Sequence, residues 1–339
     1  MSIAIAGATG NLGRYIAFSC LSKPFRDDFD KVKILTREIS KPLIKDLEQA
    51  GGIIVPINYE SPEVGKLLKE ALVDVIVVID VQSGGPDAQR NMDILLKASV
   101  ESESVKYYIP SQFGVDVRFI GEASVGPWEA KIKRDQAARE SKKLKVLSIY
   151  SAIFLEDCFA PWLGFEVEKN TFKAVGSADV NLSLTSKVDV GLSVASLSST
   201  LVKDKTNGYN FPDHLRISGT QTTINEAAKI FDSVSKNSDQ KINVEILELG
   251  SVKAEAESHP FPLNLVKYIT LFMGEGKLNF SENENKLVNP KAIWKWTTFE
   301  EYAKSVNGRP FCQDAPKDTR SPLEQVKQKL GLVAELLIV

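Results

Sequence analysis

The feature that most constrains this chain is a glycine-rich segment between an apolar run and a helical pattern. The run is residues 3–6, and the segment after it reads Gly-Ala-Thr-Gly-Asn-Leu-Gly. In a strand–loop–helix, such glycines allow a tight turn, the approach of a pyrophosphate to the backbone, and close packing of the helix on the sheet. The free N–H groups at the helix start also attract phosphate. We therefore predict that a dinucleotide binds at Gly7, Thr9, Gly10, Asn11, Leu12 and Gly13, with a turn that binds no ligand as the alternative.

The first half of the chain alternates short apolar runs with amphipathic patterns of helical spacing. The runs are residues 3–6, 33–35, 52–56, 73–79, 107–109 and 146–150. The helical patterns are residues 12–21, 43–50, 63–71, 87–98 and 128–141. Strands that are apolar throughout and alternate with helices form parallel sheets buried on both faces. The predicted fold class is therefore α/β, with a Rossmann-type doubly wound parallel sheet.

The second half is less regular and predicts a smaller α/β substrate domain. Helical patterns cover residues 189–201, 225–234, 263–273 and 297–306, and residues 242–247 alternate as a strand. Thr222 or Thr223 is a candidate cap for the second of these helices, and a capping box at Ser321 predicts a last helix. With 339 residues, we predict an NAD(P)-binding domain over 1–150 and a mainly substrate-binding domain over 151–339. Segments around 180–220 are expected to return to the first domain.

Charge and composition exclude several classes of protein. The 42 lysines and arginines nearly balance 44 aspartates and glutamates, which argues against binding to nucleic acid or to an anionic membrane. Three widely spaced cysteines and two histidines disfavour a disulfide framework and a metal site. The first strand begins at Ser2, which leaves no room for a leader, and the longest apolar stretch contains Pro262 and Lys267. We predict a cytoplasmic protein without a membrane-spanning segment or a bound metal.

The end of the second strand predicts which dinucleotide binds. A site for NAD usually has an acidic residue there to bind the ribose 2′-hydroxyl, whereas this chain has Arg37. A guanidinium binds a 2′-phosphate through two parallel hydrogen bonds, and a carboxylate would repel it. Lys41 and Lys45 would add positive charge. The sequence therefore predicts NADPH or NADP as the cofactor, with a solvated loop arginine as the alternative.

The usual catalytic motif of short-chain dehydrogenases is absent from the sequence. None of the eight tyrosines is followed by a lysine four positions later, so the proton-donating Tyr-x-x-x-Lys pair is missing. The chain also lacks the GxSxG, HExxH and P-loop motifs. The missing tyrosine also disfavours sugar epimerases and dehydratases of the extended short-chain family.

A series of motifs runs through about the first 240 residues. They are the glycine loop, Thr36-Arg37-Glu38, Val105-Lys106, Pro110-Ser111-Gln112-Phe113-Gly114, Lys131, Lys187-Val188-Asp189-Val190-Gly191 and residues 219–226. In this order they resemble the NmrA-like and isoflavone reductase-like family of atypical short-chain dehydrogenases/reductases. Gln112 departs from the family, whose members usually have glutamate at this position. Glutamine keeps the shape and an acceptor oxygen but lacks the charge.

The resemblance implies a catalytic role for Lys131. In the reductase branch of the family, a lysine at this position contacts the nicotinamide ribose and is implicated in proton transfer. Burial and the nearby cationic ring of NADP would lower its pKa toward neutrality. The alternative is a basic surface cluster in which Lys131 pairs with Asp135, and we expect Lys133 and Arg134 to be solvated. The remaining residues assigned to the cofactor site are Gln82, Ser111, Gln112 and Phe113.

Aromatic residues after the sixth strand are candidates for contact with a substrate. They are Phe154, Phe159 and Trp162, and ordinary core packing is the alternative for each. The expected function is an NADPH-dependent reductase of a small aromatic or conjugated, carbonyl-type compound. The alternative is a non-catalytic NADP(H)-binding redox sensor that acts through a protein partner.

Overall fold

Six parallel strands form the central sheet of the computed structural model, which describes residues 1–121, 123, 126–204, 211–235 and 241–332. The strands are β1 (Ser2–Ala6), β2 (Val32–Thr36), β3 (Ile53–Pro56), β4 (Val75–Asp80), β5 (Tyr107–Ile109) and β6 (Lys145–Val146). Their order in the sheet is β3-β2-β1-β4-β5-β6. The order reverses between β1 and β4, which creates the crevice where open α/β sheets bind ligands. The predicted doubly wound α/β fold is confirmed.

Helices cover both faces of this sheet. They are α1 (Gly13–Cys20), α2 (Pro42–Gln49), α3 (Val64–Ala71), α4 (Pro86–Glu101) and α5 (Pro127–Glu140). Successive residues of β1 point to opposite faces, so that Ile3 and Ile5 join one hydrophobic core while Ala4 and Ala6 join another. Burial on both faces explains why the strands are apolar throughout.

Two predicted strands differ from the structure. β4 begins at Val75 and not at residue 73, because Asp74 has a left-handed backbone, with φ of 63°, that cannot continue a strand. The predicted sixth strand, residues 146–150, is wrong as a single element. The chain leaves the central sheet at Leu147, and β7 (Ser148–Tyr150) pairs instead with residues His214–Arg216.

The later chain forms small sheets and further helices. The remaining strands are β8 (Ile153–Phe154), β9 (Phe165–Glu166), β10 (Thr171–Val175), β11 (Leu182–Thr185), β12 (His214–Arg216), β13 (Thr220–Thr222) and β14 (Asn243–Leu247). They pair in the orders β14-β10-β9, β13-β11-β8 and β12-β7. The remaining α-helices are α6 (Leu155–Cys158), α7 (Lys187–Lys203), α8 (Ile224–Val234), α9 (Leu249–Ser258), α10 (Leu263–Gly274), α11 (Asn285–Val288), α12 (Phe299–Ser305) and α13 (Pro322–Lys329). Short 3-10 helices are Phe25–Asp28, Val117–Phe119, Pro161–Leu163 and Val167–Lys169.

Two sequence signals for helix starts are confirmed. Thr223 caps α8 by accepting a hydrogen bond from the backbone N–H of Glu226 at 3.1 Å. Ser321 caps α13 in the same way, accepting from the backbone N–H of Glu324 at 3.2 Å. In both helices the glutamate side chain accepts from the backbone N–H of the capping residue, which completes the capping box.

The later chain contributes to two different cores. Aromatic residues of the small sheets build a separate core, whereas α7 packs on the core that covers one face of the central sheet. α7 crosses α1 so closely that a Cβ at Gly191 would lie 2.7 Å from the carbonyl of Tyr15. Within the segment predicted to return to the first domain, residues 205–210 lie outside the described residues. The domain boundary near residue 150 remains a prediction.

Candidate cofactor and active site

The crevice between β1 and β4 contains a cleft of about 340 Å³. It is lined by the glycine loop, by the end of β2 and by the segment after β4. Of the predicted cofactor residues, the cleft brings together Gly7, Thr9, Gly10, Arg37 and Gln82. Loops at the carboxyl ends of parallel strands meet at one edge of the sheet, which explains why residues distant in sequence share this cleft.

The glycines of the loop differ in what a side chain at each position would meet. Gly7 has a left-handed backbone, with φ of +90°, and a Cβ there would lie 2.7 Å from the backbone nitrogen of Gln82. A Cβ at Gly13 would overlap the carbonyl of Gly7. A Cβ at Gly10 would meet only the Gly7 carbonyl oxygen, at 3.1 Å, so this glycine leaves the backbone open toward the cleft. Gly7 and Gly13 shape the loop, and Gly10 is the position where a ligand can approach.

The basic residues near β2 differ in their environment. Arg37 is exposed and lines the cleft, and no hydrogen bond or ion pair joins its guanidinium to another described residue. The neighbouring Glu38 is paired instead with Lys41, at 3.4 Å, and accepts a hydrogen bond from Ser40. Lys45 is exposed on α2 and does not belong to the cleft lining. Among the described residues that line the cleft, Arg37 is therefore the cation without a hydrogen-bond or ion-pair partner.

A buried carboxyl group at the last residue of β4 accepts hydrogen bonds from the groups around it. Asp80 accepts hydrogen bonds from the backbone N–H of Gln82 at 3.1 Å, from the Gln82 side chain at 3.3 Å and from the Tyr108 hydroxyl at 2.9 Å. Burial raises the pKa of this carboxyl. The Ser111 hydroxyl in turn donates to the carbonyl of Gln82 at 2.8 Å, so the Gln82 peptide links the ends of β4 and β5. Sequence reasoning missed Asp80, although an acidic residue at the end of a β-branched strand is a detectable signal.

Lys131 lies on α5 and faces the loop after β5. Its Nζ donates to the backbone carbonyl of Gln112 at 2.9 Å, and the Gln112 side-chain amide donates to the backbone carbonyl of Lys131 at 3.2 Å. Desolvation lowers the pKa of Lys131 to about 8, with a further decrease from the nearby Arg134 and an opposing increase from Asp80. The position predicted to be catalytic therefore carries an ammonium with a perturbed pKa.

The surroundings of Lys131 differ from expectation in one respect. Arg134 was expected to be solvated, and this is wrong, because it is buried against α4, where its Nε donates to Asp93 at 2.8 Å. Lys133 is exposed and pairs with Glu129 at 2.5 Å. Asp135, the alternative partner of Lys131, pairs instead with Arg139 at 2.8 Å.

Eight of the predicted cofactor residues lie outside the cleft lining: Asn11, Leu12, Gly13, Lys45, Ser111, Gln112, Phe113 and Lys131. The Ser111 hydroxyl donates a hydrogen bond to the carbonyl of Gln82, which lines the cleft, whereas Gln112 and Phe113 are buried. Lys131 is joined to this group through Gln112.

The three aromatic residues predicted to contact a substrate lie in different environments. Phe159 is completely buried in an aromatic cluster, with ring centroids 5.0 Å from Phe165 and 5.0 Å from Phe231. Trp162 is 59% exposed and makes an edge contact with Phe311 at 5.1 Å. Phe154 is half-buried beneath the ammonium of Lys187, which lies 5.6 Å from the ring centroid. The position of Phe159 favours the packing role that the sequence left open.

A carboxyl near Phe154 is a second feature that the sequence did not reveal. The two oxygens of Glu156 accept from the backbone N–H of Lys187 at 3.1 and 3.2 Å, at the first turn of α7. Desolvation raises the pKa of Glu156 to about 7. The neighbouring Asp157 forms an ion pair with the Lys187 ammonium at 2.6 Å. These contacts join α6 to the first residue of α7, about 30 residues further along the chain, so no local pattern in the sequence reveals them.

A metal site and a membrane-spanning helix are both absent from the residues that the structure describes. In that part of the chain, no group of three or more His, Cys, Asp or Glu side chains could hold a metal ion. No helix within the described ranges has both the length and the apolar character needed to cross a bilayer.

The fold and the cleft define an α/β protein with a ligand crevice at the switch point of a doubly wound sheet. A model of the NmrA-like family matches residues 1–303, and the chain belongs to this family. The resemblance seen in the sequence motifs is thereby confirmed.

Three known proteins with a similar sequence or structure are named as reductases or oxidoreductases. The oxidoreductase aprR of Aspergillus flavus is 26% identical over 304 residues, covering 85% of this chain and 94% of that protein. A phenylcoumaran benzylic ether reductase of Ginkgo biloba is 26% identical over 319 residues, covering 88% of this chain and 97% of that protein. The structure of leucoanthocyanidin reductase from Vitis vinifera, a binary complex with NADPH, has a TM-score of 0.68 at 21% identity, covering 89% of this chain and 98% of that chain.

Proposed function

We propose that this protein is an NADPH-dependent reductase of a small aromatic or conjugated, carbonyl-type compound. Three features of the cleft support the cofactor. The backbone is open at Gly10, and Arg37 offers a guanidinium without a hydrogen-bond or ion-pair partner among the described residues. Asn91 lines the same cleft, and its buried side-chain oxygen has no hydrogen-bond partner within the described structure. A donor group on a ligand would satisfy this oxygen. The named activities of the relatives support a reductase.

The observation that carries the proposal is the environment of Lys131. When bound, NADPH supplies the hydride, and the protein supplies binding, orientation and a proton. A general acid works best when its pKa lies near the working pH, and the pKa of Lys131 is lowered to about 8. We propose that Lys131 orients the nicotinamide ribose and transfers a proton from Nζ to the carbonyl oxygen of the substrate.

The test compares the wild type with Lys131→Ala on a panel of enones, quinones and aromatic aldehydes. NADPH oxidation is followed by the loss of its near-ultraviolet absorbance. Removing a general acid should lower turnover by about 100-fold or more and leave NADPH affinity within a few-fold. Lys133→Ala is the matched control, because Lys133 is exposed on the same helix and should be dispensable. Equal rates for the wild type and Lys131→Ala on a genuine substrate would contradict the catalytic role.

A second candidate function is a non-catalytic NADP(H)-binding sensor that acts through a protein partner. It is favoured by the different environments of the three predicted substrate residues, because Phe159 is buried in the core, Trp162 is exposed and Phe154 is half-buried. Tight NADPH binding without turnover of any panel compound, together with a protein partner whose binding depends on NADPH, would favour the sensor.

We also propose a cytoplasmic location. Its support is that the three cysteines are buried and unpaired, as is usual in a reducing compartment.

A further inference from the structure

Two reciprocal hydrogen bonds join Gln112 and Lys131. Each side chain donates to the backbone carbonyl of the other residue, at 2.9 Å from Lys131 and 3.2 Å from Gln112. Gln112 is only 2% exposed, and its side-chain oxygen is buried without a hydrogen-bond partner among the described residues. The contact joins the loop after β5 to α5 at the residue that the proposed function places in the reaction.

We propose that Gln112 is the positioning residue for Lys131: it fixes the ammonium against the end of β5 without supplying a counter-charge. The effect on turnover rests on the proposed function, whereas the effect on the ammonium itself does not.

The charged groups around Lys131 explain why a neutral partner matters. Desolvation is the largest effect that lowers the pKa of Lys131. Arg134 lowers it further, and Asp80 is the carboxylate that acts in the opposite direction. The three acidic residues of α5 are engaged elsewhere: Glu129 with Lys133, Asp135 with Arg139, and Glu140 with Gln136. The backbone carbonyl of Gln112 lies 2.9 Å from Nζ, so a carboxylate on the side chain of residue 112 would add a negative charge near the ammonium.

Two substitutions separate the charge of Gln112 from its hydrogen bond. Gln112→Glu keeps the shape but brings a negative charge and loses the N–H that donates to the Lys131 carbonyl. Gln112→Met keeps a similar volume and neutrality but removes the hydrogen bond. Gln136→Glu is the matched control, because it makes the same chemical change at an exposed position of α5 and likewise removes one side-chain N–H donor, here the one that donates to Glu140.

The first measurement is the pKa of Lys131 in the full-length protein, read without any turnover. Acetic anhydride competes for lysines across a pH series, and mass spectrometry quantifies the label, with exposed Lys133 as an internal reference. An opposite charge within a few ångströms shifts a pKa by one unit or more. Gln112→Glu should therefore raise the pKa of Lys131 by about one unit or more, whereas Gln112→Met and Gln136→Glu should change it by less than about half a unit. An unchanged value in folded Gln112→Glu would overturn the proposal.

The second measurement is turnover of a substrate found in the panel, with NADPH affinity measured beside it. Gln112→Met should lose about tenfold or more in turnover while NADPH affinity stays within about threefold, because a misplaced proton donor affects the reaction and not the binding of the cofactor. Wild-type turnover in Gln112→Met would overturn the positioning role even if Gln112→Glu does not fold.

The two measurements also separate this proposal from the proposed function. If no compound is turned over but the pKa of Lys131 rises in Gln112→Glu, the reductase proposal fails and the effect of Gln112 on Lys131 stands. If turnover is found and the pKa is unchanged, the reductase stands and the role of Gln112 fails.

Discussion

Replacing Arg37 by alanine should remove the preference of this protein for NADPH over NADH. The two cofactors differ only in the 2′-phosphate, so the contributions of all contacts that they share cancel in the ratio of their two affinities. Arg37 lines the cleft, and its guanidinium has no hydrogen bond or ion pair with another described residue, so it is free to bind this phosphate. A hydrogen bond to a charged group contributes about 1.5–3 kcal/mol, and 1.4 kcal/mol corresponds to a factor of ten. The wild type should therefore bind NADPH at least about tenfold more tightly than NADH.

The assay is a fluorescence or calorimetric titration of both cofactors with the wild type, Arg37→Ala and Lys45→Ala. In Arg37→Ala the NADPH affinity should fall by about tenfold or more while the NADH affinity changes little. Lys45→Ala should keep the wild-type ratio, because Lys45 does not line the cleft. Arg37 is exposed, so the preference should weaken as salt is added. Equal affinities of the wild type for both cofactors, or an equal loss of both in Arg37→Ala, would refute the assignment.

Three further predictions follow from the loop, the core and the pKa of the lysine. Gly10→Val should abolish NADPH binding in a titration, because the added side chain would occupy the cleft where the cofactor approaches the backbone. The circular dichroism spectrum should remain that of the wild type, because a Cβ at this position meets only the Gly7 carbonyl oxygen. Undiminished binding would contradict the role of the loop. Phe159→Ala should lower the free energy of unfolding in urea by about 3–5 kcal/mol, whereas exposed Trp162→Ala should lower it by less than about 1 kcal/mol; equal losses would contradict the assigned packing. The turnover rate should stay constant below a pH of about 8 and fall above it. Lys131 must be protonated to act as an acid, and it loses this proton as the pH rises through its pKa. A turnover rate that stays constant up to pH 10 would contradict this role.

The parts of the fold that local patterns determine were predictable from the sequence. β1, the glycine loop and α1 follow one another within 20 residues, and both the apolar strand and the glycine spacing are local signals. The capping boxes at Thr223 and Ser321 are local in the same sense. The split of residues 146–150 was not predictable, because β7 leaves the sheet to pair with β12, which lies more than 60 residues further along the chain.

The candidate site was predictable to the extent that it depends on loops at strand ends. Gly7, Gly10, Arg37 and Gln82 share one cleft because their strands are neighbours in a parallel sheet. Features created by packing between helices could not be predicted from the sequence, as the burial of Arg134 against α4 illustrates. An arginine on a helix is most often solvated, and only the position of Asp93 and Gln89 on the facing helix reverses this expectation.

The proposed reaction is the transfer of a hydride from NADPH to a small substrate. The most direct measurement uses NADPH with deuterium in place of both hydrogens at C4 of the nicotinamide, with the product of the best panel compound analysed by mass spectrometry. If the protein is a reductase, the product carries one deuterium from one of the two C4 faces, and Lys131→Ala forms far less of it. A product without deuterium, or the same amount of labelled product with and without the protein, would contradict the claim.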